Sequence, residues 1–426
     1  MDMEGRNNEL HRTIAGFDNY SRDVLASMHI ASATPLDLTS DEIISFSYTS
    51  DVFASGEGPI GTVSTNELSV ELLGKYDIAM QDELTLTLTE DISGVSSLLC
   101  TLKVYDSIYD VSTDITTITA YDRLYDILSD EPNYGLALVD TSLHTILQTI
   151  FKNQGIAADQ LELDAALRGY ILPYFFMQKG ALGDTLNYLC EAYAIGIFVT
   201  PSGKIKATSF KSKTPTTTLT EDVHLISTKA SPVSIRPTTL YDVSYTTYGI
   251  ESNATVVDTT VAGLKGVISI ENISLDKPLY KLACIHVISD TNVTLRDFRY
   301  DQYTVSLDLE LSSDSELRVV VIGDVITSSV VQKLHSATKA TMVENPYVFN
   351  KTQADELLSM YNIYSNQGAV LECEARMNPE VQNNEVASVV DHSITGNYLI
   401  VGSTFNYDGS LDGTYTLYSQ EVYDGI

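Results

Sequence analysis

Tryptophan is absent from this 426-residue chain, cysteine occurs only four times, and basic residues are scarce: 25 Lys and Arg face 57 Asp and Glu, a formal net charge of −32. Each scarcity excludes something. The cysteines (Cys100, Cys190, Cys284 and Cys373) lie far apart and form no CxxC pair, so no disulfide framework or thiolate zinc site is expected, and four buried thiols are. A chain this poor in Lys and Arg lacks the groups that displace counterions from phosphates, so specific nucleic-acid binding is not expected. No apolar run approaches the roughly 18 residues that a membrane span needs. The polar start, MDMEGRNNELHR, reads as neither a signal nor a transit peptide. The acid surplus serves solubility, or it lines a passage for DNA, where a negative wall keeps phosphates from adhering.

Patterns that carry chemistry are equally thin. Gly56-Glu57-Gly58-Pro59-Ile60-Gly61 spells GxGxxG, but that fingerprint needs a strand before it and a helix opening at it. Pro59 and the Ser/Thr-rich run that follows predict a loop. Seven histidines (His11, His29, His144, His224, His286, His335 and His392) are scattered, with no HExxH or HxH spacing. There is no GxSxG elbow. Glu372 and Glu374 share a strand face, yet among so many acids they read as sheet-wall residues rather than a glycosidase pair. The turn from Asn406 to Asp412 lacks the residue order of a calcium loop. The sequence therefore predicts no catalytic, cofactor-binding or metal-binding residue, and a chain that is not an enzyme.

Strand formers are plentiful. Val24–Ile30, Glu42–Tyr48, Glu67–Leu72, Glu83–Thr89, Leu98–Tyr105 and Thr116–Tyr121 alternate between short Gly, Asp and Ser breaks, the period of a half-buried sheet. After Leu128 the period changes. Leu143, Ile146, Leu147, Ile150 and Phe151 predict a helix capped by Thr141 or Ser142 and stopped by Gly155. A second helix is expected from near Asp184, then a hairpin turned by Pro201-Ser202-Gly203. Lys211–Thr220 is the expected linker. Strands resume over Thr239–Tyr248, Val267–Ile270, Leu282–Ser289, Gln302–Glu310 and Leu317–Ile326. A helix over Lys351–Tyr364, capped by Asn350, precedes a closing β module with a turn from Asn406 to Gly413.

That closing module resembles the C-terminal domain of phage tail hub proteins, the gp27-like or tail-associated (Tal-like) baseplate components, which end on an aromatic-(Tyr)-Asp-Gly-(Ser)-Leu-x-Gly turn like Asn406-Tyr407-Asp408-Gly409-Ser410-Leu411-Asp412-Gly413. Asn383-Asn384-Glu385 departs from that family's usual Gly-Asp turn. Further motifs follow in family order: Ile60-Gly61 with Ser64-Thr65-Asn66-Glu67-Leu68, then Ile118-Thr119-Ala120-Tyr121-Asp122-Arg123-Leu124, then Thr185-Leu186-Asn187-Tyr188-Leu189 with the hairpin after it. The resemblance implies a mainly β, multidomain fold: a tube-like β-barrel domain over 1–122, an α/β domain over 123–213, a second tube-like β-barrel over 221–345, and a helix with a small C-terminal β-barrel over 346–426. It also implies a homotrimeric ring in the virion, assembled in the host cytoplasm. Its partners would be the tail tube or distal tail protein, the tape-measure protein, and a tail fibre or spike. A hub of a phage-derived contractile injection particle is a variant of the same reading. A cell-wall hydrolase and a carbohydrate-binding β protein are the alternatives from other classes.

Overall fold

The computed structural model describes residues 24–51, 60–90, 94–129, 134–135, 137–211, 213–220, 225–230, 240–333, 340–364, 370–379, 381, 383–391 and 394–424. Strands dominate. Thirteen of them form one large sheet, and the rest fall into smaller sheets of two to four strands. The mainly β class with an α/β insertion is the fold observed.

The large sheet has two halves. One contains Val24–Ala31, Leu36–Leu38, Ile43–Asp51, Asn66–Leu73, Glu83–Glu90, Ser96–Asp110 and Ile115–Tyr121. The other contains Pro215–Thr220, Leu225–Ala230, Val370–Ala375, Val386–Val390, Thr395–Tyr407 and Leu411–Ser419. They meet where Ile43–Asp51 pairs antiparallel with Thr395–Tyr407, from Phe46↔Tyr407 to Asp51↔Gly402. Strict alternation decides which side each residue takes: Val24, Ala26, Met28 and Ile30 are buried while Leu25, Ser27, His29 and Ala31 are exposed, as period two requires. One hydrophobic core underlies both halves, running from Val24 through Leu84 and Val104 to Phe405 and Leu417.

Three helices, Arg123–Ser129, Leu143–Asn153 and Leu182–Tyr193, pack with the hairpin Ile195–Val199/Ile205–Ser209 into an α/β unit with a second core. Ser142 caps Leu143–Asn153, its hydroxyl accepting from Thr145 N at 3.3 Å, and Gly155 follows the helix at φ +81°. Ser142→Ala should cost about 1 kcal/mol, the usual worth of an N-cap, read as a shift of the urea midpoint. Arg123–Ser129 is a helix the sequence did not announce. It is only seven residues long, and its start depends on a buried carboxylate described below.

Residues 240–333 form a two-layered sandwich whose first residues, Tyr241 and Val243, are buried in the α/β core. The long strands Leu240–Gly263 and Ser315–Lys333 pair antiparallel and are joined by Leu279–Ser289, and a three-stranded sheet of Gly266–Ser274, Thr304–Leu311 and Val293–Tyr300 covers part of them. A small core of Val257, Leu307, Leu309, Leu317, Val319 and Val321 lies between the two layers.

Three expectations change. Lys211–Thr220 is not a linker: Pro215–Thr220 is a strand paired in parallel with Val386–Val390, because threonine suits a pleated surface and its partner lies far along the chain, beyond any local pattern. Cys284 is only partly buried, whereas Cys100, Cys190 and Cys373 are buried. Val293–Tyr300 is an extra strand, hidden in the sequence because a bulge after Leu295 breaks its alternation and nearly all of it is exposed.

Candidate functional site

The solvent face of the large sheet is the most distinctive surface of the molecule. Register places Tyr121 opposite Glu67, Glu67 opposite Thr49, Thr49 opposite Thr404, Thr404 opposite Thr414 and Thr414 opposite Glu374. A parallel row runs Thr119, Ser69, Ser47, Asn406, Asp412. Directly opposed residues of an antiparallel pair point to the same face, so each row crosses the join between the halves without interruption. The side chains are hydroxyl, amide or carboxylate apart from the Tyr121 ring, and the first row continues past Tyr121 to Lys103 and Glu83 on the neighbouring strands. Ser47 Oγ donates to Asn406 Oδ1 at 3.0 Å, which ties the halves together on this face, and Ser45 Oγ donates to Glu71 Oε2 at 3.0 Å. From residue 24 to 129 the only Lys and Arg are Lys75, Lys103 and Arg123. The face is therefore rich in hydroxyls and carboxylates, with Lys103 beyond Tyr121 and Lys229 opposite Glu372 in the register, and it is stiffened from beneath by a continuous core.

One end of the first row carries a tyrosine cluster. Tyr121 stacks on Tyr125 at 4.0 Å between ring centroids, and Tyr105 meets both edge-on at 5.5 and 5.4 Å. Burial first, then the Glu67 carboxylate, raises the Tyr121 phenol above its usual range.

Two carboxylates, one buried and one half-buried, hold the α/β unit in place. Asp122 accepts from Asn66 N at 2.7 Å and from Leu124 N at 2.8 Å. It thereby serves both the sheet and the start of the helix Arg123–Ser129. Glu191 accepts from Asn345 Nδ2 at 2.8 Å and from the Tyr361 hydroxyl, which anchors the helix Lys351–Tyr364. Burial raises the Glu191 carboxyl, opposed by these two hydrogen bonds. Both groups are structural ties between elements, and neither lies in a cleft beside a nucleophile.

The residues considered for chemistry stay apart. His29 is exposed beside Asp37, with Nδ1 at 2.7 Å from Oδ1. His144 is part-buried, and its imidazole is lowered by burial and then by Arg168. His286 lies 3.3 Å from the Cys284 sulfur on one sheet face. His11, His224, His335, His392 and most of the Gly56–Gly61 motif lie outside the described residues. Among the described residues no three His, Cys, Asp or Glu are grouped to hold a metal ion, and no helix is long and apolar enough to cross a membrane. Glu372 and Glu374 do share the exposed face of Val370–Ala375. Register sets Glu372 opposite Lys229 and Glu374 opposite Ser227 on the neighbouring strand. Sequence reasoning found the acid excess but missed the rows, because opposition across strands distant in the chain leaves no local signal.

No protein-family model matches the chain, and no curated protein matches it at a significant level. Solved structures do. The 43 kDa tail protein of prophage MuSo2 from Shewanella oneidensis superposes with a TM-score of 0.54 at 12% identity, covering 94% of this chain and 100% of its own. A tail protein from Neisseria meningitidis MC58 superposes with a TM-score of 0.54 at 9% identity, covering 94% and 98%. At such low identity the likeness concerns the fold along nearly the full length of both chains. The structural neighbours of this protein are phage tail proteins, and it has their mainly β, multi-sheet fold.

Proposed function

We propose that this chain is a structural hub of a phage tail tip or baseplate, with no enzymatic activity of its own. The observation that carries this reading is the large sheet: two half-sheets joined edge to edge, with uninterrupted polar and acidic rows across the join. Three copies meeting in the same edge-to-edge manner would give a ring of six half-sheets, and so would match a threefold tip to a sixfold tail tube. The outer strands Leu36–Leu38 and Leu225–Ala230 lie at opposite ends of the sheet order, where a head-to-tail contact closes a ring and protects strand edges from aggregation.

In this reading the tube-like units are the two halves of the large sheet. The second unit then draws on 213–230 and 370–424 rather than on a continuous 221–345, and the sandwich of residues 240–333 stands outside the ring. The acidic rows face the lumen, where they repel the DNA backbone and let it slide. Partners on the ring faces would be the tail tube or distal tail protein on one side and a fibre or spike on the other, with the tape-measure protein within. The protein would reside in the virion after assembly in the host cytoplasm.

Negative-stain electron microscopy of the purified chain tests the proposal. Threefold rings with a central hole are expected, alone or on addition of the cognate tube protein. Compact single particles under both conditions, at concentrations well above micromolar, would overturn it.

A further inference from the structure

The strand Val293–Tyr300 is one edge of the three-stranded sheet in the sandwich, and among the described residues no strand pairs with its outer side. Register sets Val293, Leu295, Phe298 and Tyr300 opposite Leu311, Leu309, Leu307 and Val305. Those four partners belong to the core of the sandwich, so the edge residues opposite them point to the core face as well. Yet Leu295, Phe298 and Tyr300 are 38%, 44% and 39% exposed, whereas Leu309, Leu307 and Val305 are 0%, 2% and 0%. The Phe298 and Tyr300 rings stack on each other, with centroids 6.2 Å apart. Uncovered apolar side chains on an unpaired edge invite another strand.

The other residues of the strand point outward. Arg296 and Asp297 together oppose the single residue Asp308, which is a bulge. Arg296 Nε donates to Glu310 Oε2 at 3.0 Å on the outer face, and Arg299 reaches to 4.0 Å from Asp308. A bulge ordinarily blunts an edge. Here it sets two successive residues outward, so that the order along the strand becomes in, out, in, out, out, in, out, in. That order is a palindrome centred between Arg296 and Asp297. Directly opposed residues of an antiparallel pair share a face, so the strand matches its own reverse at every position. Val293 meets Tyr300, Thr294 meets Arg299, Leu295 meets Phe298, and Arg296 meets Asp297. About a two-fold axis each pairing occurs twice, and the central one brings opposite charges together both times. A slip of one residue sets charged positions against apolar ones.

We propose that this edge is a docking site for a second copy of the chain, joined strand to strand through Val293–Tyr300 into one sheet with three strands from each copy. Charge and face match together in a single register, and that match is what singles out a second copy as the occupant. Leu295 and Phe298 of each copy would then cover those of the other. The contact lies on the sandwich, outside the ring proposed above, and does not depend on that ring. A pair of eight-residue strands buries less than a standard interface, so the association is weak and reversible.

Sedimentation velocity of the full chain between about 1 and about 100 µM, a range suited to a weak interface, tests the proposal. The wild type should double in mass as concentration rises, from one copy to two, or from three to six where rings form. Asp297→Arg sets Arg against Arg at both central positions. The residue is exposed, so the variant should fold normally and fail to double. A wild type that never doubles, or a variant that doubles like it, would overturn the proposal. Hydrogen–deuterium exchange of the wild type at the two ends of the same range needs no variant. The peptide covering 293–300 should be about threefold better protected at the higher concentration, as mass action requires. Doubling with unchanged exchange there would place the contact elsewhere and overturn the proposal as well. Rings without doubling would sink this contact alone, and doubling without rings would sink the hub alone.

Discussion

Gly61→Ala is expected to destabilise the protein by about 3 kcal/mol or more, at the upper end for overpacking. A Cβ on residue 61 would sit 2.2 Å from Cys190 O and 2.7 Å from Ile195 O. Both obstacles are backbone atoms at the end of the helix Leu182–Tyr193 and the start of the strand Ile195–Val199. Neither can retreat without breaking the helix end or the parallel pairing of Thr62–Val63 with Ile195–Val199. Urea unfolding followed by circular dichroism measures the loss. Gly155→Ala is the control: that residue has φ +81° but nothing within 4 Å of its added Cβ, so only the conformational cost of about 1 kcal/mol applies. Equal losses at the two sites would show that close approach is not what selects glycine at position 61.

Phe405→Ala should cost about 3 to 5 kcal/mol, the range for truncating a buried aromatic. Phe405 is 3% exposed and lies against Tyr48 across the join of the two half-sheets, with ring centroids 6.0 Å apart. The adjacent Phe46–Tyr407 pair stacks at 5.2 Å and 12°. These rings are the buried side of the strand pairing that, among the described residues, joins the halves. The effect should therefore appear both as a lower denaturation midpoint and, under the hub proposal, as loss of rings in micrographs. Thr404→Ala, on the opposite face of the same strand, should change stability by no more than about 0.5 kcal/mol. A Phe405 variant that kept wild-type stability would mean that the join is held by its backbone ladder alone.

Much of the local structure was legible. Val24–Ala31 and Glu83–Glu90 alternate so regularly that their buried faces follow from the sequence. Leu143–Asn153 announces itself through its apolar spacing and the cap at Ser142, and Lys351–Tyr364 through Asn350, whose Oδ1 accepts from Gln353 N at 2.9 Å. Other elements were not legible, for identifiable reasons. Pro215–Thr220 looks like a spacer until Val386–Val390 lies beside it. Val293–Tyr300 carries a bulge and little burial. Arg123–Ser129 is too short for an apolar period, and its cap is an aspartate shared with a strand from elsewhere in the chain.

Composition and periodicity by themselves determined that this is an acidic, mainly β protein with a helical insertion, since propensity, alternation and capping act within a few residues. Only the tertiary structure decided that the first and last described strands share one sheet, that Glu67, Thr49, Thr404, Thr414 and Glu374 form a single row, and that Asp122 is buried between Asn66 and the start of the helix Arg123–Ser129. Each of these depends on which distant segments meet. Strand pairing is satisfied by backbone groups that every residue carries, so partner choice is set by the summed fit of the whole core rather than by any local signature.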